Sequence, residues 1–541
     1  NTFWREIGTC VSTHPFTSTT SPVQEPLEYI LLCSTMSDNE DENEVTGVST
    51  VETDGPKIPL KFVNKPFPYH FEVIVDVMGD DLMSLNDMGW GMGRIAKDQG
   101  PDIVLPKDLP SNISSWQEWE IRVPMVLPGE QIRARIFKNF DTYSEADLVT
   151  VLTPSPQRIQ PQCKLAGKCG GCQFQHLSIE IQRQWKTEHV RKGLLEQQIA
   201  GYTDQLEMLQ PALGTDEIYG YRTKLTPHYD APTRNKDTED YEMGPIGFQQ
   251  VCSRQVIDVE ECPIATPAIN AKLQQTRQEL HQKAKEGVLN GRKKRKRHRR
   301  SKGDAGATLL FREADPDENG NPVVITDNKQ YMTTTVKGIS FRYQAGNFFQ
   351  NNNYVLPLMV DGVLNAAIQP TSNGIIPKYF IDCYCGSGLF ALTAASKFQL
   401  CVGIEVQEKA IEEATANARA NGIRNCQFMA ASAEAIFKSP PKITLEGFEN
   451  ERVQDFAREQ TVVVLDPPRK GCSGAFLEQL YEYSPQRIVY MSCGPDTQAR
   501  DAKGIVEIGG YDIVSIQPYD LFPQTRHIEC LMVFEKRSKA K

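Results

Sequence analysis

Between Tyr69 and about Leu152, apolar and polar positions alternate in four runs, FEVIVDVM, WEIRVPMV, QIRARIF and ADLVTVL. The runs are separated by Gly- and Pro-containing segments that include GWGMGR and LPGE. Period-two alternation marks half-buried strands, and short strands punctuated by turns close into small barrels. Residues 69–155 are therefore expected to form a β-barrel, with GWGMGR among its turns. From about 158 to 345 the pattern is mixed. A helical stretch covers Ile179–Gln198, and strand-like runs cover Gly244–Gln249 and Ala307–Arg312, which predicts a central α+β domain. Beyond Gly346 the runs KYFIDCYC, CVGIEV, TVVVLDPP and RIVYMSC are nearly unbroken apolar and β-branched, and helical stretches separate them. Such runs are strands buried on both faces of a parallel sheet, so residues 346–541 are expected to be a doubly wound, Rossmann-like α/β domain.

Length agrees with three domains, since 541 residues exceed what one core organises. Residues 1–65 are polar, Ser/Thr-rich and acidic without periodicity, and are expected to be a disordered tail because they bury too little apolar surface to offset chain entropy. Met36 ahead of the acidic stretch reads as a start, which leaves residues 1–35 as leader or artefact with no function assigned. The net charge of −10 is unevenly spread. Met36–Gly55 holds acids and no bases, whereas Gly291–Lys302 reads GRKKRKRHRRSK. That run is expected in a solvated insertion over about 285–305, where Arg292–Arg300 could grip phosphates or act as a nuclear import signal. Fourteen cysteines in a long chain with no convincing signal peptide point to an intracellular protein rather than a disulfide framework. Nucleus, cytoplasm and mitochondrion all fit that expectation. The apolar run Tyr29–Cys33 falls far short of the roughly 20 residues that span a bilayer, so no membrane segment is expected.

Candidate chemistry concentrates near the C-terminus. Asp382-Cys-Tyr-Cys-Gly-Ser-Gly388 joins a strand to a helical stretch, and its glycines allow a tight turn close to a ligand. Glu405 ends the next strand, where a carboxylate can accept both ribose hydroxyls. This pair suits a dinucleotide as well as S-adenosylmethionine. Further motifs follow: DPPRKG at 466–471, SCGP at 492–495 and the closing PQTRHIE at 523–529.

The order FFQNN, DCYCGSG, GIEV, LDPPRKG, SCGP and HIEC through residues 346–541 resembles the RNA uridine-5-methyltransferases, most closely the eukaryotic, fungal-type tRNA (uracil-5-)-methyltransferases. By that resemblance Gln350, Tyr384, Glu405, Ser432 and Asp466 contact S-adenosylmethionine, Cys493 is the nucleophile and Glu529 the general base. The chemistry explains the residue types. Carbon 5 of uracil is too poor a nucleophile to take a methyl from a sulfonium until a thiolate adds at carbon 6. A base must later remove the carbon 5 proton to free the cysteine. A free thiol is only a few per cent ionised at neutral pH, so the site must lower its pKa or move its proton as it attacks. The chain departs from the family's usual residues at Leu389, Gly494 and Gln524, where Asn, Asn and His are common.

Cys163, Cys169, Cys172 and Cys262 lie in CKLAGKCGGCQFQHL and EECPI. Four thiolates can hold zinc or an iron–sulfur cluster, and spacing does not choose between them. The resemblance to the cluster-bearing branch of the family implies [4Fe–4S]. DMGWGMGR and LPGEQIRARI resemble the TRAM domain, an OB-like RNA-binding barrel, with Trp90, Arg94, Arg133 and Arg135 as candidate contacts. The substrate implied is the T-loop uridine, position 54, of tRNA, flipped from its stack, with ribosomal RNA as the alternative and a monomer expected. A non-catalytic RNA-binding or RNA-folding protein would leave Cys493 and Glu529 without purpose. A redox protein would leave DPPRKG and SCGP so.

Overall fold

The computed structural model describes residues 67, 69–79, 84–96, 118–140, 142–199, 201–202, 206–235, 240–289, 306–371, 374–432, 442–445, 447–449 and 452–537. The acidic tail, the start at Met36 and the basic run Arg292–Arg300 lie outside these residues.

Five strands come first: β1 (Glu72–Asp76), β2 (Gly91–Ala96), β3 (Glu118–Val123), β4 (Gln131–Asn139) and β5 (Tyr143–Thr153). They form one sheet in the order β1-β4-β5-β3-β2, with β3 and β5 parallel. A bridge from Val77 to Gly93 joins the two edges. Inside lie Val75, Ile95, Ile121, Ile132, Ala134 and Ile136. GWGMGR is not the turn that its glycines suggested, because its last four residues belong to β2. A Cβ on Gly91 would lie 2.4 Å from Val126, and one on Gly93 2.0 Å from Val75. These glycines therefore serve close strand approach where the sheet curls shut, a role that composition cannot distinguish from a turn. Trp90 is buried and offers no exposed stacking face, whereas Arg133 is exposed and Arg135 pairs with Glu72 at 3.0 Å.

Helix α1 (Ile179–Glu196) follows, capped by Ser178. Short strands come next: β6 (Lys224–Leu225), β7 (His228–Tyr229), β8 (Thr233–Arg234), β9 (Tyr241–Glu242), β10 (Ile246–Gln249) and β11 (Val256–Asp258). They are followed by α2 (Pro267–Lys285), β12 (Ala307–Thr308), β13 (Phe311–Ala314), β14 (Val323–Ile325) and the hairpin β15 (Tyr331–Val336) and β16 (Ile339–Gln344). The expected Ala307–Arg312 strand is thus two strands in different sheets, β12 beside β7 and β13 between β14 and β6.

The C-terminal part alternates α3 (Leu356–Ile368), β17 (Tyr379–Cys383), α4 (Leu389–Ala394), β18 (Leu400–Glu405), α5 (Glu408–Ala420), β19 (Cys426–Ala430), β20 (Thr461–Leu465), α6 (Gly474–Tyr483), β21 (Arg487–Ser492), α7 (Pro495–Glu507), β22 (Tyr511–Tyr519) and β23 (Glu529–Lys536). One sheet runs β19-β18-β17-β20-β21-β23-β22, parallel as far as β21 and antiparallel at β23 and β22. Strands β20 and β21 are buried throughout, as unbroken apolar runs require. The strand order reverses between β17 and β20, and the crevice at a doubly wound sheet's carboxyl edge opens at such a switch point.

This sheet does not finish its own core. Trp185, Val190 and Leu194 of α1 share a hydrophobic cluster with α6, α7 and the strands. Polar ties join the β15–β16 hairpin to α5: the Ser340, Arg342 and Gln344 amides donate to Asn421, Asn417 and Glu413.

Candidate active site

Five loop ends meet at the carboxyl edge of the sheet. Asp382, the penultimate residue of β17, is wholly buried, with Oδ2 accepting from the Ala391 amide of α4 at 2.9 Å. Its Oδ1 is buried without a partner, and burial raises its carboxyl well above the usual range. Tyr384 follows at φ +67°, a backbone conformation that a bulky residue adopts only where its surroundings impose it. Its ring meets Phe476 edge-on at 5.8 Å. Glu405, at the end of β18, accepts from the Gly386 amide at 3.4 Å and the Gln407 amide at 3.0 Å. A Cβ on Gly386 would meet nothing within 4 Å, so the turn faces open space. Ser432 lies half-buried beyond the end of β19. Gln350 lies half-buried in a loop whose carbonyls at Ala345, Asn347 and Phe349 are held by the buried Arg312.

Asp466 leaves β20 beside Asp382, and burial pushes its carboxyl up to about 7. An orphaned oxygen and carboxylates with no salt-bridge partner among the described residues, gathered around an open turn, form a set of groups suited to ribose hydroxyls and a sulfonium. S-adenosylmethionine fits that description.

Cys493 follows the last residue of β21, and Glu529 opens β23. Because Ser492 pairs with Cys530 in that antiparallel ladder, the two residues come side by side. Glu529 is buried. Desolvation and the Asp466 charge push its carboxyl up to about 8, against the opposing pull of Arg469. Burial, Glu529 and Asp466 push the Cys493 thiol up to about 12, while the Arg469 guanidinium pulls it down through charge and a hydrogen bond. The resting cysteine is therefore a thiol, so its proton has to move as it attacks.

The loop leading to Glu529 is clamped from the central part of the chain. Gln182 of α1 and Gln524 exchange hydrogen bonds, side chain to side chain at 3.0 Å and side chain to backbone at 2.9 Å. The Gln173 and Phe174 amides donate to the Gln524 carbonyl, and the Tyr221 hydroxyl to the Pro523 carbonyl. Buried Lys186 pairs with Asp520 at 2.5 Å. Gln524 thus turns inward as a structural clasp. At Gly494 a Cβ would lie 2.9 Å from the Arg469 carbonyl, so the usual Asn would force the DPPRKG loop aside.

Cys163, Cys169, Cys172 and Cys262 approach closely enough that charge on one opposes ionisation of Cys169, Cys172 and Cys262. Burial with these neighbours pushes Cys169 up to about 11 and raises Cys172 and Cys262. Among the described residues, no group of three or more His, Cys, Asp or Glu is arranged to hold a metal ion. The donor chemistry suits a metal, but the geometry does not carry the [4Fe–4S] expectation.

Asp382 and Arg469 were visible within the motifs, yet no role followed from them. The signal that was available was position, since each ends or follows a strand of the parallel sheet. Among the described residues no helix is long and apolar enough to cross a membrane.

The tRNA (Uracil-5-)-methyltransferase family model matches residues 322–537. The tRNA (uracil(54)-C(5))-methyltransferase of Schizosaccharomyces pombe is 36% identical over 486 residues, covering 87% of this chain and 80% of that protein. The Saccharomyces cerevisiae protein of the same name is 31% identical over 477 residues, covering 76% of this chain and 68% of its own. In fold, the chain is similar to the Pyrococcus abyssi tRNA (uracil-54, C5)-methyltransferase solved with S-adenosyl-L-homocysteine. That match has a TM-score of 0.54 and 19% identity, over 86% of this chain and 100% of the other.

Proposed function

Because the chain belongs to the tRNA (uracil-5-)-methyltransferase family, we propose that it methylates carbon 5 of the T-loop uridine at position 54 of tRNA, using S-adenosylmethionine. The observation that carries this reading is the placement of Cys493, Glu529, Asp466 and Arg469 at the mouth of one crevice. When bound, S-adenosylmethionine supplies an electrophilic methyl on a sulfonium. Gln350, Tyr384, Glu405, Ser432 and Asp466 would hold it, with Asp382 beside them.

Cys493 adds through sulfur to carbon 6 of the flipped uracil, and the π electrons move to carbon 5 and the adjoining carbon 4 carbonyl. The thiol proton passes to solvent water as the carbon–sulfur bond forms, and the Arg469 guanidinium stabilises the negative charge on sulfur. After carbon 5 has taken the methyl, Glu529 removes its remaining proton. The electron pair re-forms the double bond and expels the Cys493 thiolate. A carboxylate destabilised by burial is a better base once ionised. The N-terminal barrel is read as an OB-like TRAM module that holds RNA, and the enzyme as a monomer.

Two expected outcomes bear on the cofactors. A sulfonium beside Asp466 and Glu529 favours their charged forms, so binding it lowers both pKa values and releases protons. Affinity for S-adenosylmethionine should therefore be weakest at low pH, rise by up to about tenfold per pH unit toward 7, and level off above about 8. Calorimetry in buffers of different ionisation enthalpy measures the released protons, and Asp466→Asn should flatten the profile. Affinity independent of pH, with no proton release, would remove Asp466 from the cleft.

We also propose, from the four thiols and the family, that Cys163, Cys169, Cys172 and Cys262 take up a [4Fe–4S] cluster. Anaerobic preparation should then yield brown, oxygen-sensitive protein with about four irons per chain. A colourless preparation, or one holding stoichiometric zinc, overturns this assignment.

A further inference from the structure

Alternation along the segment entering β6 puts Arg222 and Lys224 on one side and Thr223 on the other. In the β6–β13 ladder Lys224 stands directly opposite Arg312. Like charges directly opposite on one face of an antiparallel pair destabilise it. Glu313 is the acid nearest along β13, but its amide bonds the Thr223 carbonyl, so alternation sends its side chain to the other face. Among the described residues no carboxylate pairs with Arg222, Lys224 or Arg312. The Arg312 guanidinium is satisfied by three backbone carbonyls and lies 4.8 Å from the Tyr343 ring centre. Arg222 donates to the Lys224 carbonyl at 3.1 Å and lies over the Phe522 ring. The Lys224 ammonium has no such partner, and burial with the two guanidinia pushes it down to about 7.

Arg222 links these cations to the reacting centre through a chain of ring contacts. Phe522 meets His527 edge-on at 6.2 Å, and His527 Nδ1 lies 3.1 Å from Nη2 of Arg469, the residue that acts on Cys493. On the other side, the Thr223 amide bonds the Asn351 carbonyl, and Arg222 bridges to Asn352 in the FFQNN loop. A half-buried ammonium on the strand whose neighbours Arg222 and Thr223 touch two active-site loops, itself repelled by Arg222 and Arg312, awaits an anion. In a chain of net charge −10, such local cations have to supply the attraction to nucleic acid.

We propose that Lys224, with Arg222 beside it, grips a backbone phosphate of the RNA next to the uridine held at Cys493. This rests on the RNA methyltransferase reading above. A phosphate contact carries no base information but fixes the register of the strand, which a flipped base needs in order to meet its nucleophile. A strand-borne ammonium suits phosphate as a point charge.

The test compares Lys224→Gln and Lys224→Arg in the full chain, using a tRNA transcript. Lys224→Gln is expected to raise KM for tRNA about tenfold and to reduce the salt slope of tRNA binding by about one. It should leave kcat within about twofold and KM for S-adenosylmethionine unchanged, and Lys224→Arg should restore both tRNA readouts. Because the Gln variant removes a like-charge contact, its thermal midpoint should equal or exceed the parent's. Unchanged tRNA KM and salt slope would overturn the proposal. So would a rise confined to the S-adenosylmethionine KM, which would make the cofactor carboxylate the anion, or a lowered thermal midpoint with every kinetic constant changed together. If the parent itself methylates no uridine in this assay, the enzyme reading fails, while the salt slope, measured by binding alone, still judges Lys224.

Discussion

Replacing Cys493 with alanine is expected to lower methyl transfer by at least about four orders of magnitude, the scale on which losing a covalent nucleophile acts. Affinity for S-adenosylmethionine should change by less than about twofold. The two effects separate because the Cys493 thiol belongs to the β21–β23 side of the crevice, where it meets Glu529 and Arg469. The cofactor groups Asp382 and Glu405 belong to β17 and β18. Without the thiol, carbon 5 stays too electron-poor to accept the methyl, whatever the rest of the site does. Single-turnover transfer of labelled methyl, alongside calorimetric cofactor binding, checks both parts. Retention of more than about a hundredth of the parent's rate would remove Cys493 from the nucleophile's role.

Glu529→Gln should fail at a different step. Addition at carbon 6 and methyl transfer both precede loss of the carbon 5 proton, so neither strictly requires this carboxylate. Elimination does require a base, and a buried amide is not one. The methylated base should then remain on Cys493, seen as RNA-dependent retardation on a denaturing gel that carries the transferred label. The band should vanish in the Cys493→Ala, Glu529→Gln double variant. The substitution is nearly isosteric and replaces an acid that burial already pushes up to about 8, so the fold should tolerate it. Normal turnover without any adduct would assign the base to another group.

Much of this site was legible in the sequence because parallel strands advertise themselves. An apolar run buried on both faces ends at the sheet's carboxyl edge, and whatever follows it lies at the crevice. That logic put the Asp382–Gly388 turn and Glu405 at one edge from the sequence alone, whereas Asp466 and Cys493 took their expected roles from the family resemblance. Glu529 reaches the same edge only because β23 runs antiparallel to β21, a reversal with no local signature. GWGMGR misled because glycine serves both turns and close strand approach, and only the side chains of Val75 and Val126 across the gap decide which. The change of texture at Gly346 marked where the large sheet begins, but not where its packing ends. Helix α1 shares the core beneath α7 from a distance of some three hundred residues, information held by tertiary contacts alone. The Gln182–Gln524 clasp and the Lys224–Arg312 opposition are invisible for the same reason. Each depends on register between segments far apart in the chain.

The central claim is tested most directly by incubating the full chain with methyl-labelled S-adenosylmethionine and, separately, unmodified tRNA and ribosomal RNA, then digesting each RNA to nucleosides. The account predicts label in 5-methyluridine from tRNA, mapping to position 54 and lost when that uridine is replaced by cytidine. Label in any other nucleoside, label confined to ribosomal RNA, or none in either RNA would contradict it.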